Sequence, residues 1–485
     1  AYEMYLRGNY LFEKKKARED VEAAMDLFEK ALEREPSLLV ARGGIARVLI
    51  FRTEYDRAAT VLQEAPADSK RRSQADDQAR LYSLLGKVES LRGNYAEARE
   101  CHWRAIDICR DIESPVEEIA ARSGLLTTIR AHGTFDGADD QFERVMQLCQ
   151  RVGRRELSLD ALSMMGWINL DRGWERQARE MFGAGLTIAR EIEDTTREAV
   201  MLNSIAASYI GKTGEANSRT ELEYYERARS LWQKLGDKRA QAGASHNIGL
   251  VHLKSGRFTE ALRHFESSAE AMKAQGERGY CALFVANVAE GLLAIGEYEK
   301  AAERAREAHQ LALEISHPAY AAQAECSLGN AYQLMGQTDE AIEVLSRAEA
   351  VSEEKGFAWQ LVKACMHRGE LEFDRGDYEV AEGMFAKSLR SAEGSGYALF
   401  TIRIECYQAA LNVARGHYND GIVTLSLMAD RTDSPPMDVT RRRLLGLSMA
   451  RFSRTEEDRQ GGLEVLRGAL RDAERMGFRL VCDFI

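Results

Sequence analysis

The 485-residue chain has a formal net charge of -11, with 66 Lys and Arg against 77 Asp and Glu. This balance argues against nucleic acid as a default partner, because nucleic-acid binding draws most of its affinity from clustered basic charge. No apolar run approaches the roughly 20 residues needed to span a bilayer, and the first residues lack a signal-peptide pattern, so no membrane association is expected.

The proline and cysteine contents indicate the fold class and the cellular compartment of the protein. Proline is scarce, with 6 residues in all, while helix-favouring Ala, Leu, Glu and Arg are abundant, which predicts an all-α chain. The 8 cysteines form no CxxC pair, which favours free thiols in a reducing, cytoplasmic compartment.

A short motif recurs along the chain, consisting of a glycine, an aromatic residue two positions later and an alanine three positions after that. Its clearest copies begin at Gly93, Gly256, Gly296 and Gly376. The small residue of the motif recurs every 40 positions, at Ala58, Ala98, Ala138 and Ala178 and again at Ala261, Ala301, Ala341, Ala381 and Gly421. With Ala24, Gly462 and one weaker unit between the two series, the sequence predicts twelve helix pairs.

Each position of the motif has a structural explanation. The glycine ends a first helix where a left-handed residue is needed, the aromatic residue fills the hairpin, and the alanine lets two helices approach closely. Four and seven residues after the alanine come a large apolar and a small residue, as in Phe265 and Ser268, which form one buried stripe on the second helix.

These motifs resemble the tetratricopeptide repeat (TPR) family over nearly the whole chain, in the longer form found in kinesin light chains and bacterial regulator arrays. Residues 41–46 and Leu84-Leu85-Gly86 match the first-helix signature. The resemblance implies a right-handed α-solenoid of about twelve stacked antiparallel helix pairs. It also implies that first helices line the concave face, and we expect each helix to contact only its sequence neighbours.

Two polar, turn-rich segments interrupt the repeats. Residues 211–220 separate an N-terminal array, 1–210, from a C-terminal array, 221–485. Residues 430–440 contain a Pro-Pro pair that disfavours helix. Both are predicted to be long inter-helix loops, with a hinge or partner contact as the alternative. The apolar residues 478–485 predict that further helix follows and that the C-terminal array is truncated.

No catalytic motif is present, so we expect no enzyme activity, no cofactor and no metal. Cys101-His102 and the pair Cys365 and His367 place a thiol near an imidazole, but they supply fewer than four zinc ligands. Cys326, His367 and Cys406 fall at similar places on consecutive first helices, where helix spacing keeps them apart. Aromatic residues at the repeat period are interpreted as core residues, not as platforms for bases.

The candidate site is therefore the predicted concave face. In steps of 40, one row contains Arg47, Lys87 and Trp167 and later Glu290, Asn330 and Glu370. A neighbouring row contains Asn247, Asn287 and His367. The full set of predicted partner-binding residues is Arg47, Arg80, Lys87, Arg130, Trp167, Asn203, His246, Asn247, Asn287, Glu290, Asn330, His367 and Glu370.

The two halves of this face carry different predicted roles. Basic residues in the N-terminal third and acidic residues in the C-terminal half predict an electrically polarised groove. In relatives that hold extended peptides, Asn grips the ligand backbone, and Asn247 and Asn287 fall at that place; the alternative is that both are merely solvated.

The sequence thus predicts a module that binds a partner protein or peptide, as the sensor or regulatory part of a larger bacterial signalling protein. An attached kinase, cyclase, protease or transcription regulator outside this chain would be the effector. The alternative is a purely structural scaffold that fixes spacing in an assembly.

Overall fold

The computed structural model describes residues 1–14, 18–64, 72–209, 214–393, 398–431 and 434–479. Over these residues the chain is an all-α solenoid of twenty-four α-helices with no strand, which confirms the predicted fold class. It divides into two compact units, Ala1–Ile205 and Ala206–Ile485. None of the described helices is both long and apolar enough to cross a membrane.

The first unit contains α1 to α10 and most of α11. Their bounds are α1 Tyr2–Lys14, α2 Arg18–Arg34, α3 Leu39–Phe51, α4 Tyr55–Gln63, α5 Arg72–Arg92, α6 Tyr95–Asp111, α7 Pro115–His132, α8 Ala138–Val152, α9 Leu159–Asp171, α10 Glu175–Glu191 and α11 Thr195–Ala207. Consecutive helices pack as hairpins, and the first helices α3, α5, α7 and α9 also lie side by side.

The second unit contains α12 to α24. Their bounds are α12 Glu215–Leu235, α13 Lys238–Lys254, α14 Phe258–Ala274, α15 Arg278–Ala294, α16 Tyr298–Glu314, α17 Pro318–Leu334, α18 Thr338–Lys355, α19 Ala358–Arg375, α20 Tyr378–Ala392, α21 Ala398–Ala414, α22 Tyr418–Leu427, α23 Pro435–Phe452 and α24 Glu456–Met476. Here the first helices are the odd-numbered ones, and α15, α17, α19, α21 and α23 lie side by side in that order.

The repeat motif takes the conformation that its residue types require. Gly376 ends α19 with φ of 85°, a left-handed conformation in which a side chain would be strained. The period-40 alanines, among them Ala98 and Ala261, are fully buried. A Cβ placed on Gly249 would lie 2.7 Å from the ring of Phe265, so the first helix accepts no side chain where the aromatic residue packs.

The structure corrects both predicted loops. Residues 215–220 form the first turns of α12, and of the predicted insertion 211–220 only residues 211–213 lie outside the described residues. Pro435 and Pro436 begin α23, because proline is tolerated in the first helical turn, where no intrahelical N–H bond is lost.

The expectation that each helix contacts only its sequence neighbours is also wrong. The Ser434 hydroxyl donates a hydrogen bond to the carbonyl of Lys254, 180 residues earlier in the chain, at 2.8 Å. Phe478, the first residue of the apolar C-terminal stretch, stacks on Phe258 at 4.8 Å between ring centroids. Residues 480–485 of that stretch lie outside the described residues.

Candidate functional site

In the first unit, the predicted inner face carries side chains that reach solvent. We call Arg47, Lys87, Thr127, Arg130 and Trp167 the first-unit wall. Lys87 and Thr127 are exposed, and the other three are half-buried. Lys87 makes no ion pair with any residue in the described part of the chain. The first-unit wall therefore offers a free ammonium group on an accessible surface.

The arginines of this face have partners within the unit. Arg47 pairs with Glu13 at 3.0 Å and lies 5.4 Å from the ring centroid of Phe12, both on α1. Arg80 donates to Glu117 on α7 at 2.6 Å, and this hydrogen bond raises its pKa. These ion pairs are partly exposed, so they orient the arginines but contribute little to the free energy of unfolding.

Arg130 and Trp167 form one feature of the wall. The Arg130 guanidinium lies 4.8 Å from the Trp167 ring centroid and donates to Asp171 at 2.7 Å. Trp167 in turn packs edge-on against the buried Phe182. This stacking holds the Arg130 cation and the Trp167 indole in a fixed arrangement within the first-unit wall. Asn203, on α11, is half-buried and has a partner within the chain.

In the second unit, long polar side chains spaced 40 residues apart connect the first helices. We call Gln323, Lys363, Arg403 and Arg443 the donor row. Each donates to a group earlier in the chain, and the acceptors are Asn287, Glu290, Glu370 and the Tyr407 hydroxyl respectively. Lys363 on α19 reaches past α17 to Glu290 on α15. Three of the four donors are buried, and Arg403 is half-buried.

Asn287 lies within this network and not on a wet surface. Its side-chain amide is 2.9 Å from His246 Nε2, and its carbonyl oxygen accepts from Gln323 at 3.2 Å. The His246 ring stacks on Phe284 at 3.9 Å between centroids. Burial lowers the pKa of His246 to about 3, so the imidazole is neutral at physiological pH. A ligand backbone could reach Asn287 only by replacing one of these partners.

Glu370 and His367 are likewise internal. Glu370 is 3% exposed, accepts a hydrogen bond from Arg403 at 2.8 Å within an ion pair, and lies 3.5 Å from His367 Nδ1. Burial alone would raise the pKa of Glu370, but Arg403 and His367 hold it below its usual value. Burial also lowers the pKa of His367.

The remaining predicted residues of the second unit are less buried. Asn247 and Asn330 are half-buried, and Asn247 has a partner within the chain. Glu290 is half-buried and its charge is matched by Lys363. Counting charges along one row therefore overstated the acidity of this unit, because Lys363 and Arg403 neutralise Glu290 and Glu370 from another row.

The thiol and imidazole pairs show no arrangement for metal binding or catalysis among the described residues. No group of three or more His, Cys, Asp or Glu side chains in the described ranges could hold a metal ion. Burial raises the pKa of Cys101 to about 11 and that of Cys365 to about 12, which disfavours the thiolate. His102 packs against Gly86 and Gly124 in the place of the aromatic core residue.

The donor row was missed at the level of sequence, although a signal was present. Gln323, Lys363, Arg403 and Arg443 share the period of the repeat, and four long polar side chains at one register predict a common environment. At the equivalent register the first unit has Val40, Arg80, Ala120 and Asp160, of which the last three are exposed. The same row is therefore solvated in one unit and internal in the other.

Stacked helix hairpins with a small-residue period define a class of repeat proteins that act as interaction scaffolds. Tetratricopeptide repeat models match residues 16–88, 78–115, 222–274 and 322–354. The chain therefore contains tetratricopeptide repeats in both of its compact units, and these repeats support a protein-interaction module.

Two solved structures and one curated protein show the range of similarity. A Rap protein complexed with Competence and Sporulation Factor has a TM-score of 0.55 and 15% identity, and the match covers 75% of this chain and 100% of that one. The STAND protein PH0952 from Pyrococcus horikoshii, with a tetratricopeptide repeat sensor, has a TM-score of 0.43 and 13% identity, covering 82% and 69%. These likenesses concern the fold.

The Tonsoku-like protein of Bos taurus is 20% identical over 353 residues, which is 70% of this chain and 25% of that protein. The chain therefore spans about a quarter of the length of this curated relative.

Proposed function

We propose that this chain binds an extended segment of a partner protein along the inner faces of its first helices, and that it is the sensor or regulatory part of a larger bacterial signalling protein. The observation that carries the proposal is the first-unit wall, where Lys87 is exposed with no ion pair to a described residue and where Arg130 stacks on Trp167. The similar Rap protein is complexed with Competence and Sporulation Factor, which supports a protein or peptide as the ligand.

The partner segment that lies on the first unit is acidic. An exposed ammonium group on a concave wall attracts carboxylates, and the wall's two arginines, Arg47 and Arg130, are already held in place by Glu13 and Asp171. In the second unit the proposed contacts are the half-buried Asn247, Asn330 and Glu290, with Asn287 taking part only if Gln323 or His246 gives way.

Selection of displayed random peptides against the immobilised chain tests this proposal. We expect acidic peptides, and we expect Lys87→Glu to slow their association most at low salt, because a charge at the rim of a site acts mainly on the association rate. The matched control is Lys30→Glu on the second helix α2, where Lys30 is exposed and pairs with Asp26. Equal kinetics in both variants would exclude the first-unit wall as the site.

Asn247 has its own test. Asn247→Ala should raise the dissociation rate of a selected peptide, because a lost hydrogen bond to a bound ligand costs about 1–3 kcal/mol. Wild-type dissociation, together with loss of binding on substitution of Arg263 or Arg347 on second helices, would move the site to the outer face.

A structural scaffold is the second candidate, and the donor row favours it. A ladder of buried polar contacts joins the first helices of the second unit and makes that unit suited to fixing distances. A scaffold without a switch binds its partners with no change in the chain. An effector domain linked to this chain, with activity that changes when a selected peptide is added, would decide for the sensor.

A further inference from the structure

The last helix pair of the second unit packs against the first one. Ser434, at the start of α23, donates to the carbonyl of Lys254, the last residue of α13. The Lys254 side chain forms an ion pair with the buried Glu221 on α12. The N-terminal end of α23 is thus hydrogen-bonded to Lys254, whose side chain is held by Glu221 near the start of the second unit.

The other end of the contact is apolar and closely fitted. Phe478, which follows α24, stacks on Phe258 at the start of α14, and the two lie in a small buried cluster with Ala294, Val439 and two alanines of α24. A Cβ added to Gly256 or Gly296 would lie 2.7 Å from Met476 or Arg479. The glycine turns that connect the helices of these early repeats therefore pack directly against the C-terminal end of α24 and the residues that follow it.

This contact joins the two ends of a run of helix pairs in the second unit. Four helix pairs, α15 to α22, lie between the two that meet, so the first helices from α13 to α23 form a closed series. Glu370, Lys363 and Asn287 on these first helices are buried, whereas Lys87 on the first-unit wall is exposed.

The closing contact is much smaller than the contacts it completes. Helices within a hairpin, such as α15 and α16 or α23 and α24, contact each other extensively. By contrast, the contacts of α23 and α24 with the early repeats are local: the Ser434 hydrogen bond, the Phe478 stack with its buried cluster, and the packing of Met476 and Arg479 on two glycine turns. A small interface between well-packed elements opens at a lower free energy than the elements unfold.

We propose that α23 and α24 form a detachable closing element, whose release opens the inner face of the second unit and exposes the donor row. The proposal rests on the proposed function in one respect: the molecule that would occupy the opened inner face is a segment of a partner protein. Opening and closing are properties of this chain alone and can be measured without any partner.

Phe478→Ala tests the closing element. Lysine acetylation followed by mass spectrometry reports on the inner face through Lys363, which is 5% exposed. We expect acetylation of Lys363 to become about tenfold faster in Phe478→Ala, and amide exchange to accelerate in α23, α24 and residues 254–260 while α17 to α20 keep wild-type rates. Leu463→Ala, a change at an exposed apolar position of α24, is the matched control and should leave both signals unchanged.

Phe478→Leu keeps the apolar bulk and should return Lys363 to slow acetylation. The proposal is overturned if Lys363 reacts at the wild-type rate in Phe478→Ala, or if all helices of the second unit exchange faster together, since the pair would then be part of one cooperative core. Loss of the Lys87 effect on peptide association would refute the acidic-partner proposal and leave this result untouched.

Discussion

The two units are built from the same repeat but differ in what their inner faces contain. At one register the first unit places Arg80, Ala120 and Asp160 in solvent, whereas the second places Lys363 and Arg443 in a buried network. The helical framework does not explain this difference, since the period-40 alanines are buried in both units. We attribute it to the proposed closing contact of α23 and α24 with the early repeats of the second unit.

The comparison teaches that a concave face in a repeat protein can serve binding or cohesion according to its side chains. Exposed charges that lack partners, such as Lys87, contribute little to stability and remain available to a ligand. Charges that are buried and paired, such as Glu370 with Arg403, must keep their partners for the unit to stay folded.

The largest expected effect comes from breaking a buried pair of the second unit. Glu370→Ala leaves Arg403 and His367 without their acceptor, and we expect a loss of about 3–5 kcal/mol in the free energy of unfolding. Asp171→Ala removes the half-exposed partner of Arg130 and should cost about 0–1 kcal/mol. Urea unfolding followed by tryptophan fluorescence measures both, and similar losses would contradict the distinction between the units.

A smaller effect tests what the units share. Ala98→Leu in the first unit and Ala261→Leu in the second enlarge fully buried residues at helix crossings, and each should cost about 1–3 kcal/mol through overpacking. Ala120→Leu, at an exposed position of α7, is the control. Unchanged melting temperatures for both buried variants would show that the repeat register is wrong.

The sequence alone could predict those features of the fold that repeat along the chain. The period of 40 predicted the helix pairs, the buried alanines and the glycine turns because each depends on residues within one repeat. The pairing of Lys363 with Glu290 spans 73 positions, and that of Ser434 with Lys254 spans 180, so neither follows from a single repeat. Pro435 was misread because its meaning depends on whether it begins a helix or interrupts one.

Acid should weaken the second unit through His246. Its folded-state pKa of about 3 lies below the ordinary value of 6.5, so the unfolded chain binds more protons as the pH falls through 6.5, and stability is lost. We expect a loss of about 2 kcal/mol between pH 8 and pH 5 from this group. His246→Gln, which can still bond Asn287, should reduce the pH dependence by this amount, while His417→Gln at an exposed position should not.

The smallest expected effect on stability is that of Lys87, and Lys363 provides the comparison. Lys87→Ala should change the free energy of unfolding by no more than about 0.5 kcal/mol, since it removes no pair with a described residue. Lys363→Ala leaves Glu290 without its partner and should cost about 1–3 kcal/mol. Equal, small effects would mean that the donor row adds nothing to the cohesion of the second unit.

Acetylation of the native wild-type chain with a water-soluble reagent, quantified by mass spectrometry at each lysine, tests the central claim most directly. Lys87 on the first-unit wall should react as fast as the exposed Lys30, whereas Lys363 on the equivalent face of the second unit should stay protected until the chain is denatured. Equal reactivity of Lys87 and Lys363 in the folded chain would contradict the account of one open and one closed inner face.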